Sequence, residues 1–237
     1  MKHFDPDFSP SLIHPYYFIR TGLKNEVLRY SKYLSGKLMD FGCGSKPYRS
    51  VFHFDEYVGV DFENEGHPHQ NEQIDVFYDG KSIPLSENYF DSILCTEVFE
   101  HIFNLDTVLQ ELNRVLKING YILITCPFVW NEHEVPYDYA RYTRFALKSL
   151  LDKNGFEIVE YSKSGEFIST ITQLITLYFN SVFKGVWRKV FFLRWFFKVC
   201  FFLLPNLVGL FLKKILPRND SLYLNNVLVV KKISSDV

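Results

Sequence analysis

The residues most able to do chemistry begin at Asp40, where an apolar run meets two glycines in Leu38-Met39-Asp40-Phe41-Gly42-Cys43-Gly44-Ser45-Lys46-Pro47-Tyr48. Gly42 and Gly44 permit positive φ and let a ligand lie against bare backbone, so the stretch is read as a ligand loop where a strand turns toward a helix. A dinucleotide fold asks for a third small residue three positions after the second glycine. That position holds Pro47, which argues against a nicotinamide cofactor. About twenty residues past the glycines, Tyr57-Val58-Gly59-Val60-Asp61 reads as a buried strand ending in a carboxylate, the place from which an acidic side chain accepts both hydroxyls of a ribose.

Two further constellations carry acid–base groups. The stretch P-F-V-W-N-E-H-E-V-P-Y-D-Y-A-R-Y-T from Pro127 to Thr143 sets His133 between two glutamates, with Asp138 and Arg141 downstream. An imidazole titrates near neutrality, so His133 is the candidate general base, and Asp138 or Glu134 could orient it. The same His133, Asp138 and Arg141 would equally form a hydrogen-bonded pin that fixes the loop. Glu97, Glu100 and His101 would share one helical face at i, i+3 and i+4, with His133 as a fourth group. That set suits a metal. No metal is assigned to it; metal-dependent transfer to an RNA 2′-hydroxyl is kept as one rival reading, and a non-catalytic cofactor-fold scaffold as the other.

The elements that must position these groups alternate strand with helix. After a helix from Lys24 to Leu34, capped at Gly36, strands are expected up to Asp40, at Tyr57 to Asp61, Ile74 to Tyr78, Phe90 to Thr96 and Tyr121 to Pro127. Leu105, Val108, Leu109, Leu112, Val115 and Leu116 recur at helical spacing, and Asn119-Gly120 is the expected stop. A helix from Phe145 to Lys153 stopped by Gly155, a strand from Phe156 to Tyr161 and a last strand from Asn226 to Lys232 complete the pattern. Such alternation implies a parallel sheet that binds ligands at the carboxyl ends of its strands.

The ordered motifs D-F-G-C-G-S, V-G-V-D, D-G-x-x-x-P-L, F-D-S-I-L-C-T-E-V-F-E-H and L-x-x-x-G-Y-I-L-I-T-C-P resemble the class I S-adenosylmethionine-dependent methyltransferases, especially the bacterial group with an E-V-x-E-H signature. The resemblance covers residues 36 to 163 and returns at 225 to 233. It implies an α/β, Rossmann-like, mostly parallel seven-stranded sheet with an antiparallel last strand and a helical insert before that strand. It also implies S-adenosyl-L-methionine as cofactor. By the same likeness Asp40, Gly42 and Gly44 would hold the methionine part, Asp61 the ribose, and Asp79 with Gly80 the adenine, while Thr96 and Glu97 would face the sulfonium. Where the family has a third glycine this chain has Lys46, whose ammonium could meet the cofactor carboxylate instead. The H-x-x-P-x-D-x-x-R-Y-T loop is similar to loops in methyltransferases that resemble those encoded near polysaccharide-building enzymes.

Composition bounds the partners. A chain of 237 residues, 47% hydrophobic and 22% charged, can hold one well-cored α/β domain plus an elaboration. The expected divisions are an N-terminal helix or lid over 1–35, a methyltransferase core over 36–165, a basic, Phe-rich helical insert over 166–219, and the last strand and tail of the core over 220–237. Four cysteines without C-x-x-C spacing, and no secretory leader pattern, point to a reducing cytoplasm. From Phe167 to Asn219 there are eight basic residues (Lys184, Arg188, Lys189, Arg194, Lys198, Lys213, Lys214 and Arg218) and no acidic one, with ten of the 24 phenylalanines. Pro205 interrupts its longest uncharged run, Val199 to Leu212. That run is short of the roughly twenty residues of a bilayer span. The insert is therefore expected to be a helical hairpin broken at Pro205 that rests on the inner membrane surface, or else a soluble cover or homodimer surface. A net charge of −1 and the lack of a basic polar groove argue against nucleic acid. The expected acceptor is a small molecule or a lipid-linked sugar, methylated on oxygen.

Overall fold

Strand β1 (Lys37–Phe41) runs through the middle of a seven-stranded sheet, and everything after its first residue is buried. The computed structural model describes residues 9–62, 72–183 and 191–234, the side chains of 191–194 excepted. Residues 27–162 and 226–234 belong to one unit, which holds the sheet, and residues 9–26 and 163–225 to another. The other strands are β2 (Glu56–Phe62), β3 (Val76–Tyr78), β4 (Phe90–Thr96), β5 (Leu116–Pro127), β6 (Phe156–Ser164) and β7 (Asn225–Lys232). They lie in the order β3-β2-β1-β4-β5-β7-β6. Strands β1 to β5 pair in parallel, with Asp40 beside Gly59 on one side and Leu94 on the other, and the β7 region is antiparallel. Since β2 and β4 flank β1 on opposite sides, the chain reverses its direction of travel at β1. The crevice at the carboxyl end of β1 is then where such a sheet takes its ligand.

Helix α2 (Leu105–Val115) buries Leu105, Val108, Leu109, Leu112 and Val115, as its spacing predicts, in one core with Met39, Ile93, Ile122 and Val230. It ends at Val115, before the expected Asn119-Gly120 stop, and β5 starts at the next residue. Asn119 instead takes φ +67°, and the β4–β5 register shifts between Phe90 and Ser92. The Asn-Gly pair thus supplies the turn chemistry of a bulge within a strand. Helix α3 (Arg144–Lys153) is capped by Thr143, whose hydroxyl accepts from the Ala146 N–H, and Gly155 follows it at φ +76°. Strand β7 is buried along nearly its whole length, Lys232 included, whose ammonium donates to the carbonyls of Asn113 and Leu116 at 2.7 and 2.8 Å. Helix α1 (Tyr17–Tyr30) begins seven residues before the expected Lys24.

In the second unit two expectations fail. Helix α5 (Phe191–Lys198) passes through a π turn, Val199–Leu203, straight into α6 (Leu204–Ile215), so the insert is not broken at Pro205. Pro205 directly follows the π turn, an interruption of the regular hydrogen-bond ladder at which a residue without an N–H can be tolerated inside a continuing helix. The resulting stretch Trp195–Ile215, 21 residues with an 18-residue window of mean hydropathy 1.9, is long and apolar enough to cross a membrane by length and composition. Counting only the uncharged run underestimated it, because Lys198, Lys213 and Lys214 stand near its ends. Of the basic residues of the insert, Lys184, Arg188 and Lys189 and the side chain of Arg194 lie outside the described residues.

Helix α4 (Phe167–Phe183) is amphipathic with its faces reversed. It buries Ser169, Thr170, Thr172, Gln173 and Thr176, and exposes Ile171, Leu174, Ile175, Tyr178 and Val182. Part of the buried polar side is paired with backbone: Gln173 accepts from the Ile19 N–H at 3.1 Å, and Gln173 and Thr176 both donate to the Pro15 carbonyl at 2.8 Å, while the Ser169 hydroxyl has no partner among the described residues. Helix α6 repeats the pattern. It buries Asn206, which donates to the Leu12 carbonyl, and Gly209, and it exposes Leu204, Leu207, Val208, Phe211 and Ile215.

Candidate active site

The glycine turn follows β1 without a gap. Gly42 has φ +71° and donates its N–H to Val60; a Cβ there would stand 2.2 Å from a Val98 methyl, so both conformation and space require glycine. Gly44, at φ +42°, would point a Cβ at nothing nearer than the Glu72 carboxylate at 3.6 Å, which keeps the approach to the backbone open. Lys46 takes φ +55°, so the chain adopts at a non-glycine residue the left-handed turn that the family's third glycine would supply. Its ammonium is committed to Asp75 at 2.6 Å.

A pocket opens above this turn, lined by Phe41, Gly42, Gly44, Asp61, Phe62, Tyr78, Glu97, Val98, His101, Ile102 and Glu134. The Asp61 carboxylate at the end of β2 accepts the Gly44 N–H on Oδ2 and the Phe62 N–H on Oδ1, each at 2.8 Å. Each carboxylate oxygen has two acceptor sites, so Asp61 keeps capacity for the two hydroxyls of a ribose. Phe62 and Tyr78, with rings 5.7 Å apart, give the pocket aromatic walls suited to a planar base. Glu97 stands at the end of β4 with φ +55°; its N–H reaches the Thr125 carbonyl, and its Oε1 accepts from the Thr125 hydroxyl at 2.7 Å. With bare backbone, a ribose-capable carboxylate and apolar walls in one crevice, the residues fit S-adenosylmethionine.

Asp40 and Asp79, also expected around the cofactor, are engaged by the chain itself. Asp40 is buried beneath the turn and accepts from the Tyr57 hydroxyl; burial pushes its carboxyl up to about 7. Asp79 closes its own turn by accepting from the N–H groups of Lys81 and Ser82, which hold it below the usual carboxylate range. Asp40, Lys46, Asp79, Gly80 and Thr96 are all off the pocket wall. The aromatic walls went unread, although each adjoins a residue that was singled out: Phe62 follows Asp61, and Tyr78 precedes Asp79.

The loop after β5 brings His133, Asp138 and Arg141 together. Arg141 grips the Asp138 carboxylate on both oxygens, at 2.5 and 2.7 Å, and also donates to the Asn131 and Ala140 carbonyls. Burial works against ionisation of Asp138, but the Arg141 hydrogen bonds overcome it and bring the carboxyl down to about 2. The same carboxylate receives the His133 backbone N–H at 3.0 Å and its Nδ1 at 3.2 Å. Base orientation and loop pinning, alternatives in the sequence, are therefore one network. Burial and the neighbouring His101 lower the His133 pKa.

His101 ends a short 3-10 turn, Phe99–His101, and sets its Nε2 3.1 Å from the Nε2 of His133. Glu100 is fully buried beside them. Glu97 does not join this group: its left-handed backbone precedes the 3-10 turn, so the α-helical i, i+3, i+4 face expected for Glu97, Glu100 and His101 does not form.

A family model described as a methyltransferase domain matches residues 17–161. A search of curated proteins returns no match. Among solved structures, the chain is similar to a SAM-dependent methyltransferase from Archaeoglobus fulgidus, at 18% identity and a TM-score of 0.52 over 91% of this chain and 96% of that one. It is also similar to Haemonchus contortus phosphoethanolamine N-methyltransferase 2 in complex with S-adenosyl-L-methionine, at 17% identity and a TM-score of 0.53 over 89% and 52% of the two chains. The [4+2]-cyclase SpnF matches at 15% identity and a TM-score of 0.53 over 98% and 87%. At such identities the likeness is one of fold.

Asp61→Ala is expected to weaken S-adenosylmethionine binding by about 1.5 to 3 kcal/mol through loss of charge-assisted hydrogen bonds. Isothermal calorimetry reads this directly, and unchanged affinity would remove Asp61 from the ribose site.

Proposed function

The chain belongs to the methyltransferase-domain family and is an S-adenosylmethionine-dependent methyltransferase, and from that premise we propose that it methylates an oxygen of a sugar or lipid-linked small molecule at the inner membrane surface. When bound, the cofactor supplies a methyl group already activated on a positive sulfur. What remains for the chain is to hold the acceptor in line, keep water out and remove a hydroxyl proton.

The observation that carries the oxygen reading is the Asp138–His133 contact. An ionised Asp138 requires His133 Nδ1 to carry the hydrogen, which leaves the Nε2 lone pair as a proton acceptor. A cofactor held by the Gly42–Gly44 turn and Asp61 would supply the methyl group, and His133 Nε2 would take the acceptor hydroxyl's proton, leaving a methyl ether. Asp138 and Arg141 position the base. His101 and Glu134, both on the pocket wall, join the loop to the cofactor side of the crevice.

The membrane part of the reading is supported by the reversed faces of α4 and α6. Water gives no reason to bury Thr172, Gln173 and Asn206 while exposing Leu174, Ile175, Leu207 and Phe211, whereas a bilayer does. Each large side chain taken into the acyl region contributes about 1.5 to 3 kcal/mol, and each lysine at an anionic surface about 1 kcal/mol. The first term is not screened by salt.

His133→Ala is expected to lower turnover about 10² to 10⁴-fold with cofactor affinity nearly intact. The assay follows labelled methyl from S-adenosylmethionine into fractions of glycolipid, small sugars and RNA; normal turnover in the variant would reduce His133 to a pin of the loop. The protein is also expected to sediment with anionic liposomes, more weakly in high salt but still measurably. Val208→Glu with Phe211→Glu should leave it in the supernatant. A wild type that stays in the supernatant at low salt would overturn the membrane assignment.

A further inference from the structure

The pair of imidazoles has a hydrogen-bonding problem. His101 Nδ1 lies 2.9 Å from the Tyr137 carbonyl, which can only accept, so that nitrogen carries the hydrogen. His133 Nδ1 lies against the Asp138 carboxylate and carries the hydrogen for the same reason. Two neutral rings so fixed direct bare lone pairs at each other across 3.1 Å. Beside them the Glu100 carboxylate is fully buried, and neither of its oxygens accepts a hydrogen bond. Its Oε1 is 3.8 Å from His101 Nε2 and 4.0 Å from His133 Nε2. Three possible ligand atoms therefore converge, one carboxyl oxygen and two imidazole nitrogens, with no cation among the three.

We propose that Glu100, His101 and His133 form a binding site for a divalent transition-metal ion, opening into the cofactor pocket through His101. Among the described residues these side chains offer ligand atoms that all lie within 4.8 Å of one another. Two nitrogens each about 2.1 Å from one ion stand roughly 3.0 to 3.4 Å apart at octahedral or tetrahedral angles, which agrees with the 3.1 Å separation. The Glu100 oxygen has less than about 1 Å to close. The outer partners also match: a ligating histidine commonly donates its second N–H to a carbonyl or a carboxylate, as His101 does to Tyr137 and His133 to Asp138. Two imidazoles and one carboxylate suit zinc, iron, cobalt or manganese rather than magnesium or calcium, which prefer oxygen throughout.

The inference rests on the reading above only for its consequence. With an ion in place, His133 Nε2 would be a ligand and could not also take the acceptor's proton, so the base role proposed above belongs to the metal-free protein.

The test is a titration of the full chain, stripped with chelator, with Zn²⁺ by calorimetry and with Co²⁺ by visible absorption. No cofactor or acceptor is present, so its failure leaves methyl transfer standing, and an inactive enzyme leaves its outcome untouched. One ion per chain is expected, and Glu100→Gln, His101→Ala and His133→Ala should each weaken binding at least about 100-fold, with folding checked by circular dichroism. Should a variant not fold, X-ray absorption of the zinc-loaded wild type decides, with two imidazoles in the metal shell expected. Absence of saturable uptake, binding undiminished in the folded variants, or a shell without imidazole would overturn the proposal.

Discussion

One carboxylate holds the loop after β5 in place. Asp138, with only 3% of its side chain exposed, is kept ionised by a two-point grip from Arg141 that also fastens Asn131 and Ala140. An ion pair this buried contributes little net stability, but breaking it would strand a charge, so the loop has one low-energy arrangement. That arrangement fixes the ring of His133, which meets His101 from the turn after β4. The backbone of the same turn accepts two more loop N–H groups, from Tyr139 and Ala140, at the Glu100 carbonyl. Loop, turn and sheet end therefore move as one body around the pocket.

The second unit obeys the opposite logic. Its helices turn polar side chains inward, some of them onto backbone carbonyls as with Gln173 to Pro15 and Asn206 to Leu12, and leave aliphatic and aromatic groups outside. Polar groups buried with partners cost little, while apolar surface left in water costs in proportion to its area. Such an arrangement is stable only where something other than water covers the outer face. On the membrane reading proposed above, a bilayer would cover both helices.

Much of the catalytic unit was legible because its signals are local. Glycines that need positive φ, a carboxylate at a strand end and a 3.6-residue stripe on α2 each declare themselves within a dozen residues. What escaped was set by distance or by context. Periodicity shows that α4 has two faces but not which one is buried, since the pattern is the same either way. Lys46 could be seen to replace a glycine, but not that its ammonium would turn to Asp75. His101 and His133 are 32 positions apart, and only the fold brings their rings to 4.6 Å. A Glu-x-x-Glu-His string suggests a helix, whereas the left-handed Glu97 excludes it.

The central claim is that the crevice at the end of β1 holds the cofactor while the His101–His133 edge of the pocket meets the acceptor. A crystal structure with S-adenosylhomocysteine and an acceptor sugar tests it most directly. The account predicts ribose hydroxyls on Asp61 and an acceptor oxygen within hydrogen-bond reach of the paired histidines or of an ion between them. A product molecule bound away from Asp61, or an acceptor oxygen facing a wall with neither histidine, would contradict it.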